Sequence, residues 1–296
     1  MTMAVDFCDI EIPDYEGLYL PKIPTFLKDP GHILTSIRNL TLGPDAIILA
    51  TYPRSGTHWM YEMTEMLLKG KAEYCRKSRE TAYLEGLSDL DSMQFYNRIV
   101  STHVPFQWLP RKHVDGCGKI ILVIRNPKDT AVSLFKIFDS GGYIKNKSFQ
   151  DFVHEDFLGP KAMHGGWFEY NKEFLKQAAT RKNEMIVITF EKLKKDTKGE
   201  LLRLAKFLGV KEDEQLIKDI VDKCSFNKLK DADKVVREDN LMAETMRELS
   251  LKENVVVYRK GEAGDWKNYF TVALNEEFDK AYTERMKEID FYPEYE

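Results

Sequence analysis

Residues 46–59 read A-I-I-L-A-T-Y-P-R-S-G-T-H-W, and this stretch decides the fold. The run I-I-L at 47–49 is apolar and typical of a buried strand. A polar turn, P-R-S-G at 53–56, follows it, and the apolar positions after Thr57 recur with helical spacing. Strand, tight loop and helix in this order direct backbone N–H groups at one point, which suits an anion. An ordinary corner with a capping hydroxyl explains the stretch equally well.

The bulk composition limits the classes of protein that fit. The chain has 296 residues, 43% of them hydrophobic and 31% charged, which suits one large α/β domain. A net charge of −4 argues against a broad surface for nucleic acid. Four scattered cysteines without a C-x-x-C pair indicate free thiols, and neither disulfides nor a metal site. Without a signal peptide pattern or an apolar run of ~20 residues, we expect a cytoplasmic protein without a membrane partner.

Three more apolar runs, at 98–102, 119–124 and 185–190, predict strands. Because helical patterns alternate with them, we predict an α/β fold with a central parallel sheet flanked by helices, in a single domain over residues 1–296. Residues 1–30 contain four prolines and predict an extended N-terminal arm. The predicted helices lie at 31–40, 130–138, 167–179, 199–208, 212–223 and 275–288.

Each predicted core strand ends at residues of types that are common in ligand-binding and catalytic sites. The first ends in the 53–57 loop, the second at His103, the third at Arg125 and the fourth at Phe190. Ligands of open parallel sheets bind beyond the carboxyl ends of the strands, so we expect these residues to converge. Arg125 with Ser133 predicts a second anion site, because a guanidinium suits a phosphate.

The sequence R-K-G at 259–261 predicts a third basic element, where glycine permits close backbone approach. One ligand with two separated anionic groups therefore fits the pattern. The loop lacks both the G-x-x-x-x-G-K-[ST] of a Walker ATPase and the G-x-G-x-x-G of a dinucleotide-binding enzyme. The sequence therefore argues against an ATPase and against a dinucleotide-dependent dehydrogenase.

Four motifs in order resemble those of the cytosolic sulfotransferases. T-Y-P-R-S-G-T-H-W at 51–59 resembles their 5′-phosphosulfate loop, and R-N-P-K-D-T-A-V-S at 125–133 their 3′-phosphate motif. The run at 259–270 resembles their C-terminal cofactor motif, and the pattern K-x-x-x-T-V-x-x-x-E at 267–276 their dimerisation motif. The resemblance implies transfer of a sulfuryl group from 3′-phosphoadenosine 5′-phosphosulfate (PAPS) to a hydroxyl or amine of a small hydrophobic acceptor, by a homodimer that needs no metal.

The resemblance also implies roles for individual residues. His103 corresponds to the catalytic base, although a histidine that is merely packed at the end of a strand would give the same pattern. Arg54 lies where the transferring group is held. The implied nucleotide-binding residues are Arg54, Ser55, Gly56, Thr57, His58, Trp59, Arg125, Ser133, Phe190, Cys224, Phe226, Val257, Tyr258, Arg259, Lys260 and Gly261. The predicted acceptor-binding residues are Phe26, Ser101, His103, Phe135 and Trp167, with Met93, Phe95, Phe106, Trp108 and Ile137 as further aromatic or apolar candidates. Most aromatic residues should nevertheless belong to the core.

Three departures from the family pattern leave a second function open. Arg54 replaces the usual lysine, Ser101 stands where a lysine is common, and Phe190 replaces a tyrosine. A nucleotide-binding protein of the same fold, with weak or no transfer activity, is therefore the alternative. We expect His32, His113, His154 and His164 to lie on the surface or in loops, and the loops near 80–95, 139–165 and 231–250 to form a lid.

Overall fold

The computed structural model describes residues 10–75, 82–87, 90, 98–211, 213–236 and 258–296. The strands are β1 (Asp14–Tyr15), β2 (Leu18–Tyr19), β3 (Ile47–Thr51), β4 (Ile99–Thr102), β5 (Lys119–Ile124) and β6 (Met185–Thr189). The helices are α1 (Pro24–Lys28), α2 (Pro30–Asn39), α3 (Thr57–Lys69), α4 (Arg111–Asp115), α5 (Pro127–Gly141), α6 (Phe149–Phe152), α7 (Gly166–Thr180), α8 (Phe190–Lys195), α9 (Thr197–Leu208), α10 (Glu214–Lys223), α11 (Phe226–Val236) and α12 (Val272–Met286). Short 3₁₀ turns lie at Leu84–Gly86, Phe106–Trp108, Met163–Gly165 and Asp265–Asn268, and a π turn at Val153–Phe157.

The central sheet is parallel, with the strand order β4-β3-β5-β6. Alternate side chains of its strands enter two separate cores. Ile48 and Leu122 belong to the core that includes α2, α5, α7 and α12, whereas Ile47 and Ile121 belong to the core that includes α3, α9 and α10. Because both faces are covered, the strands are apolar at nearly every position, as predicted from sequence. The predicted α/β fold with a central parallel sheet is confirmed.

Helix α5 begins earlier than predicted, and the reason is local. Pro127 occupies its first turn, where a missing N–H costs nothing. The side chain of Asn126 accepts a hydrogen bond of 2.8 Å from the backbone N–H of Asp129 and caps the helix. The last three residues of the segment R-N-P-K-D, which precede the predicted helix at 130–138, therefore belong to α5.

The N-terminal arm is less extended than predicted. In its described part, β1 and β2 form a short antiparallel hairpin that turns through Gly17 at φ 80°, and α1 follows. Pro24 lies in the first turn of α1, a position that tolerates proline. The prolines of this arm therefore start elements as well as interrupting them.

The strand order brings the predicted site residues to one edge. After β4, at the margin of the sheet, the chain crosses β3 to form β5 on the other side of β3. The loops that leave β3 and β5 are therefore neighbours at a point where the strand order reverses, which is where ligands of such sheets bind. Within the described ranges, no helix is long and apolar enough to cross a membrane.

Candidate active site

The loop after β3 is built around two residues with positive φ. Arg54 has φ 70° and Gly56 has φ 110°. A Cβ at Gly56 would lie 3.1 Å from the ring of Phe190, so glycine meets both a backbone and a packing requirement here. Gly56 is also the N-cap of α3 and has no side chain to cap it. The first N–H groups of α3 therefore need other partners, and an anion can supply them.

Three arginines converge beside this loop. Arg54 Nε donates to Ser133 Oγ at 3.1 Å, which connects the loop to α5. Arg125 Nη2 donates to the carbonyl of Glu262 at 2.7 Å, and its guanidinium stacks on the Phe190 ring at 4.4 Å. The pKa of Arg54 is lowered to about 10, chiefly by burial and in addition by the nearby charges of Arg125 and Arg259. A bound polyanion would relieve this repulsion.

Several buried donors in this corner lack protein partners. Arg125 Nε, Arg259 Nε and Ser55 Oγ have no hydrogen-bond partner among the residues that the structure describes. Buried polar groups are normally satisfied, and orphaned donors in a native fold usually belong to a ligand. Three positive charges, with unused donors on Arg125, Arg259 and Ser55, fit a ligand that has two separated anionic groups.

Asp129 attaches the C-terminal basic segment to this site, and sequence reasoning did not single it out. Its carboxylate accepts the backbone N–H of Gly264 at 2.7 Å and that of Trp266 at 2.9 Å. Asp265, next in this segment, accepts from Arg259 and Lys260 at 2.5 Å each. Burial alone would raise the pKa of Asp265, but these two bonds lower it to about 2. Asp129 lies within the quoted R-N-P-K-D motif, so its position was available as a signal.

Aromatic side chains form the walls next to the charges. Trp59 meets Phe190 edge-on at 5.5 Å, and Tyr258 packs against His58 at 6.1 Å and Phe226 at 6.2 Å. These rings are suited to a nucleobase, because every base has a face that can stack. A Cβ at Gly261 would lie 2.1 Å from the Phe226 ring, so this glycine is needed for close packing.

Two of the predicted nucleotide residues gain no support from the structure. Cys224 is buried with its thiol 3.9 Å from the sulfur of Met66, and burial raises its pKa. This contact belongs to the core under α3 and gives no support to a direct ligand contact. Val257 lies outside the described residues. Thr57 lines the loop, and its hydroxyl is 2.7 Å from that of Thr51.

His103 lies at the end of β4 with a defined tautomer. Its Nδ1 is 2.7 Å from the carbonyl oxygen of Thr51, which can only accept a hydrogen bond. Nδ1 therefore carries the proton, and Nε2 presents a lone pair. The pKa of His103 is lowered to about 4: burial has the largest effect, the bond to Thr51 opposes the shift, and the charge of Arg54 adds to it. The imidazole is therefore neutral near pH 7 and can accept a proton.

The surroundings of His103 include side chains that sequence reasoning missed. The backbone N–H of His103 donates to Glu85 Oε1 at 2.5 Å, and burial raises the pKa of Glu85 to about 7. The rings of Tyr83 and His164 lie 5.3 and 6.1 Å from the imidazole, between centroids. His164 lies in a turn between elements, as the prediction of a surface or loop residue allowed, but it is not on the surface, because it is 1% exposed. His113 is buried as well, with Nε2 3.2 Å from the carbonyl of Lys119, whereas His32 and His154 are exposed.

Four of the predicted acceptor residues are buried: Ser101, Phe135, Phe26 and Trp167. Ser101 is buried in β4, next to Tyr83 through a parallel bridge, and Phe135 packs on Phe149 at 5.3 Å. Phe26 is fully buried in the core. Trp167 is also fully buried, and its indole N–H donates to the carbonyl of Arg125 at 3.1 Å. This placement favours a supporting role for Trp167 behind Arg125 over contact with an acceptor.

The remaining candidates are core packing or undescribed. Phe106 packs on Phe174 at 5.4 Å and Trp108 on Tyr15 at 5.7 Å, while Ile137 is partly buried against the same core. Met93, Phe95 and residues 237–257, which contain most of the predicted lid at 231–250, lie outside the described residues. The described residues contain no group of three or more His, Cys, Asp or Glu side chains arranged to hold a metal ion.

Comparison with known proteins agrees with this geometry. The family model described as a sulfotransferase domain matches residues 44–290. The chain is 34% identical to human Sulfotransferase 1E1 over 261 residues, which covers 83% of this chain and 85% of that protein. Mouse sulfotransferase SULT7A1 complexed with PAP superposes with a TM-score of 0.74 at 25% identity, covering 94% of this chain and 95% of that one. Retinol dehydratase in a complex with retinol and PAP superposes at 0.77 and 25% identity, covering 93% and 89%.

The family match spans most of the chain, and the solved relatives with the same fold hold PAP. This chain therefore belongs to the sulfotransferase family and is a sulfotransferase enzyme.

Proposed function

We propose that this enzyme transfers a sulfuryl group from PAPS to the hydroxyl of a small hydrophobic acceptor, with His103 as general base. The observation that carries the proposal is the juxtaposition, at one edge of the sheet, of a neutral histidine and a cluster of three arginines, two of which have a buried Nε without a partner among the described residues. The solved relatives bind PAP, the nucleotide that remains after such a transfer, and one of them holds retinol, an apolar alcohol.

The residues of the site fit the two ends of this nucleotide. Arg125, Ser133 and Arg259 are suited to the 3′-phosphate, because guanidinium forks and a hydroxyl match a phosphate. The 54–57 loop and the start of α3 are suited to the 5′-phosphosulfate. The rings of Trp59 and Phe190 flank this corner and are placed to contact the adenine.

The reaction uses the lone pair on His103. The acceptor oxygen attacks sulfur, and a new O–S bond forms as the bond between sulfur and the bridging phosphate oxygen breaks. The acceptor proton passes to His103 Nε2, and the departing electron pair stays on the phosphate of the nucleotide. Arg54 and the N–H groups of the loop stabilise the charge that develops on the bridging and sulfuryl oxygens.

The test is a transfer assay with ³⁵S-labelled PAPS and a panel of phenols, steroids and amines. We expect labelled product from the wild-type enzyme and none above background from His103→Ala. Isothermal titration with PAP should give the same dissociation constant for both proteins. PAP binding without product on any acceptor would favour the alternative function, a nucleotide-binding protein in which Arg54, Ser101 and Phe190 suppress transfer.

We further propose a homodimer through residues 267–276, as the motif resemblance implies. The Thr271 hydroxyl caps α12 by accepting the N–H of Leu274 at 3.2 Å, and Val272 next to it is 77% exposed. An exposed apolar side chain at a helix start suits a small interface. Light scattering should show a dimer that Val272→Glu converts to a monomer, whereas Tyr292→Glu, at an equally exposed side chain, leaves it intact.

We also propose that the protein is located in the cytoplasm, and cell fractionation tests this location.

A further inference from the structure

His164 is a second buried histidine beside the proposed base. It is 1% exposed, and neither of its ring nitrogens has a hydrogen-bond partner among the residues that the structure describes. Burial lowers its pKa well below the ordinary value, and the neighbouring His103 lowers it further. The ring is therefore neutral, with one donor nitrogen and one acceptor nitrogen that the protein leaves unused. Buried polar groups are rarely left unsatisfied without a functional reason.

The backbone holds this side chain in a defined place. His164 has φ 56° and ψ 26° in a 3₁₀ turn, and the two glycines that follow also have positive φ. The second of them, Gly166, opens α7, so the rigid core helix begins directly after the turn. The turn also packs on the N-terminal hairpin, since Leu18 is the nearest neighbour of a Cβ placed at Gly165. Histidine tolerates the left-handed region better than most residues.

The distance between the rings of His164 and His103 indicates what kind of acceptor can contact both of them. The two ring centroids are 6.1 Å apart, with the planes inclined by 59°. At this separation of the rings, one small acceptor with two oxygens can contact both histidines, with one oxygen at each ring. His164 therefore lies close to the space in which the acceptor hydroxyl must approach His103.

The chemistry of the reactive hydroxyl narrows the choice. That hydroxyl has one proton, which passes to His103, and its oxygen must keep a lone pair for the attack on sulfur. A hydrogen bond from His164 to the same oxygen would weaken the nucleophile. A second oxygen on the adjacent carbon of the acceptor can instead form a hydrogen bond with one of the unused nitrogens of His164 without this penalty.

We infer that His164 selects acceptors that carry a second hydroxyl or carbonyl oxygen on the carbon next to the sulfated hydroxyl, such as catechols. This inference rests on the proposed sulfuryl transfer and adds a substrate class to it. A site built to hydrogen-bond a second oxygen rejects an analogue that lacks it, because its buried polar groups are then left unpaired.

The experiment compares 4-ethylcatechol with 4-ethylphenol as acceptors for the whole enzyme with PAPS. We expect wild-type kcat/KM to favour the catechol by about 10-fold or more. In His164→Phe this ratio should fall to about two, the statistical factor for two hydroxyls, because the loss falls on the catechol. His164→Asn should retain part of the preference, because asparagine keeps a donor and an acceptor and adopts the left-handed backbone readily.

One control variant and the pattern of outcomes separate a failure of this inference from a failure of the proposed function. His113→Phe changes another buried histidine, at the opposite end of the sheet beside Lys119, and should leave the ratio at its wild-type value. A ratio that is the same in wild type and His164→Phe, or an equal loss on both acceptors, overturns the inference. Transfer to the phenol by wild type without a catechol preference defeats this inference alone. Absence of transfer to any acceptor defeats the proposed function itself.

Discussion

Asp129 offers a sharp test of how the basic C-terminal segment is attached to the site. The carboxylate is 1% exposed and accepts two backbone N–H groups, from Gly264 and Trp266, as well as the side-chain amide of Asn126 at 2.8 Å. Asp129→Asn keeps the shape of the side chain but replaces one accepting oxygen with an NH₂ group. That group would face donors, so at least one backbone hydrogen bond must be lost and a donor left buried without a partner.

The magnitude follows from the bonds that are lost. A hydrogen bond to a charged acceptor is worth about 1.5–3 kcal/mol. Because Arg259 and Gly261 belong to the segment that these bonds hold, the loss should appear in nucleotide affinity. We expect the dissociation constant for PAP to rise by about 10- to 160-fold, from about 1.5–3 kcal/mol. The Tm should fall by several degrees, at roughly 2–4 °C per kcal/mol.

Isothermal titration with PAP and thermal unfolding measure these two effects. Asp139→Asn is the matched control, since Asp139 lies on the same helix and is exposed. We expect it to behave like wild type in both assays. A dissociation constant within threefold of wild type for Asp129→Asn, together with an unchanged Tm, would refute the reasoning that Asp129 holds the segment.

Three more predictions test the charged loop, the base and the glycine contact. Arg54→Lys loses the Nε bond to Ser133 but keeps the charge, so its kcat should stay within about 10-fold of wild type. Arg54→Met removes the charge, so its kcat should fall by about 10²–10³-fold. Equal losses of kcat in the two variants would contradict a role for the charge. Since burial holds the pKa of His103 near 4, the base stays neutral above that pH, and kcat/KM for the donor should fall only below about pH 5; an acid limb at 6.5 would contradict this. Gly261→Ala should weaken PAP binding at least 10-fold, because its Cβ would meet Phe226 at 2.1 Å. Gly264→Ala, with a similar φ but only a 3.7 Å contact, should weaken it less.

Sequence reasoning located the four strands of the central sheet because those signals are local, but it missed the short strands β1 and β2. The run at 119–124 matches β5 at both ends, and Thr57 is the first residue of α3. Arg125 follows β5 directly, so its position at the edge of the sheet follows from the strand itself. Parallel topology then forces the ends of adjacent strands together, which is why four separated motifs could be combined into one predicted site.

The acceptor side was harder to predict because its contacts are not local. His164 follows no strand, and a histidine beside a glycine pair is usually a loop residue on the surface. Its burial depends on how α7 and the N-terminal hairpin pack around it, which is decided by side chains far away in sequence. Phe26 and Trp167 show the opposite error: their aromatic character suggested a pocket, but such residues are most often core, and both are fully buried.

The sequence by itself determined the α/β class, the anion-binding loop and the identity of His103 as a candidate base, because each depends on a short pattern and on the parallel order of the strands. Only the tertiary structure decided which nitrogen of His103 presents a lone pair, since Thr51 is 52 positions away in sequence and its carbonyl orients the ring. It also decided that Arg54 reaches Ser133 and that the ring of His164 lies 6.1 Å from that of His103. Hydrogen bonds between distant segments depend on packing, and no local pattern encodes them.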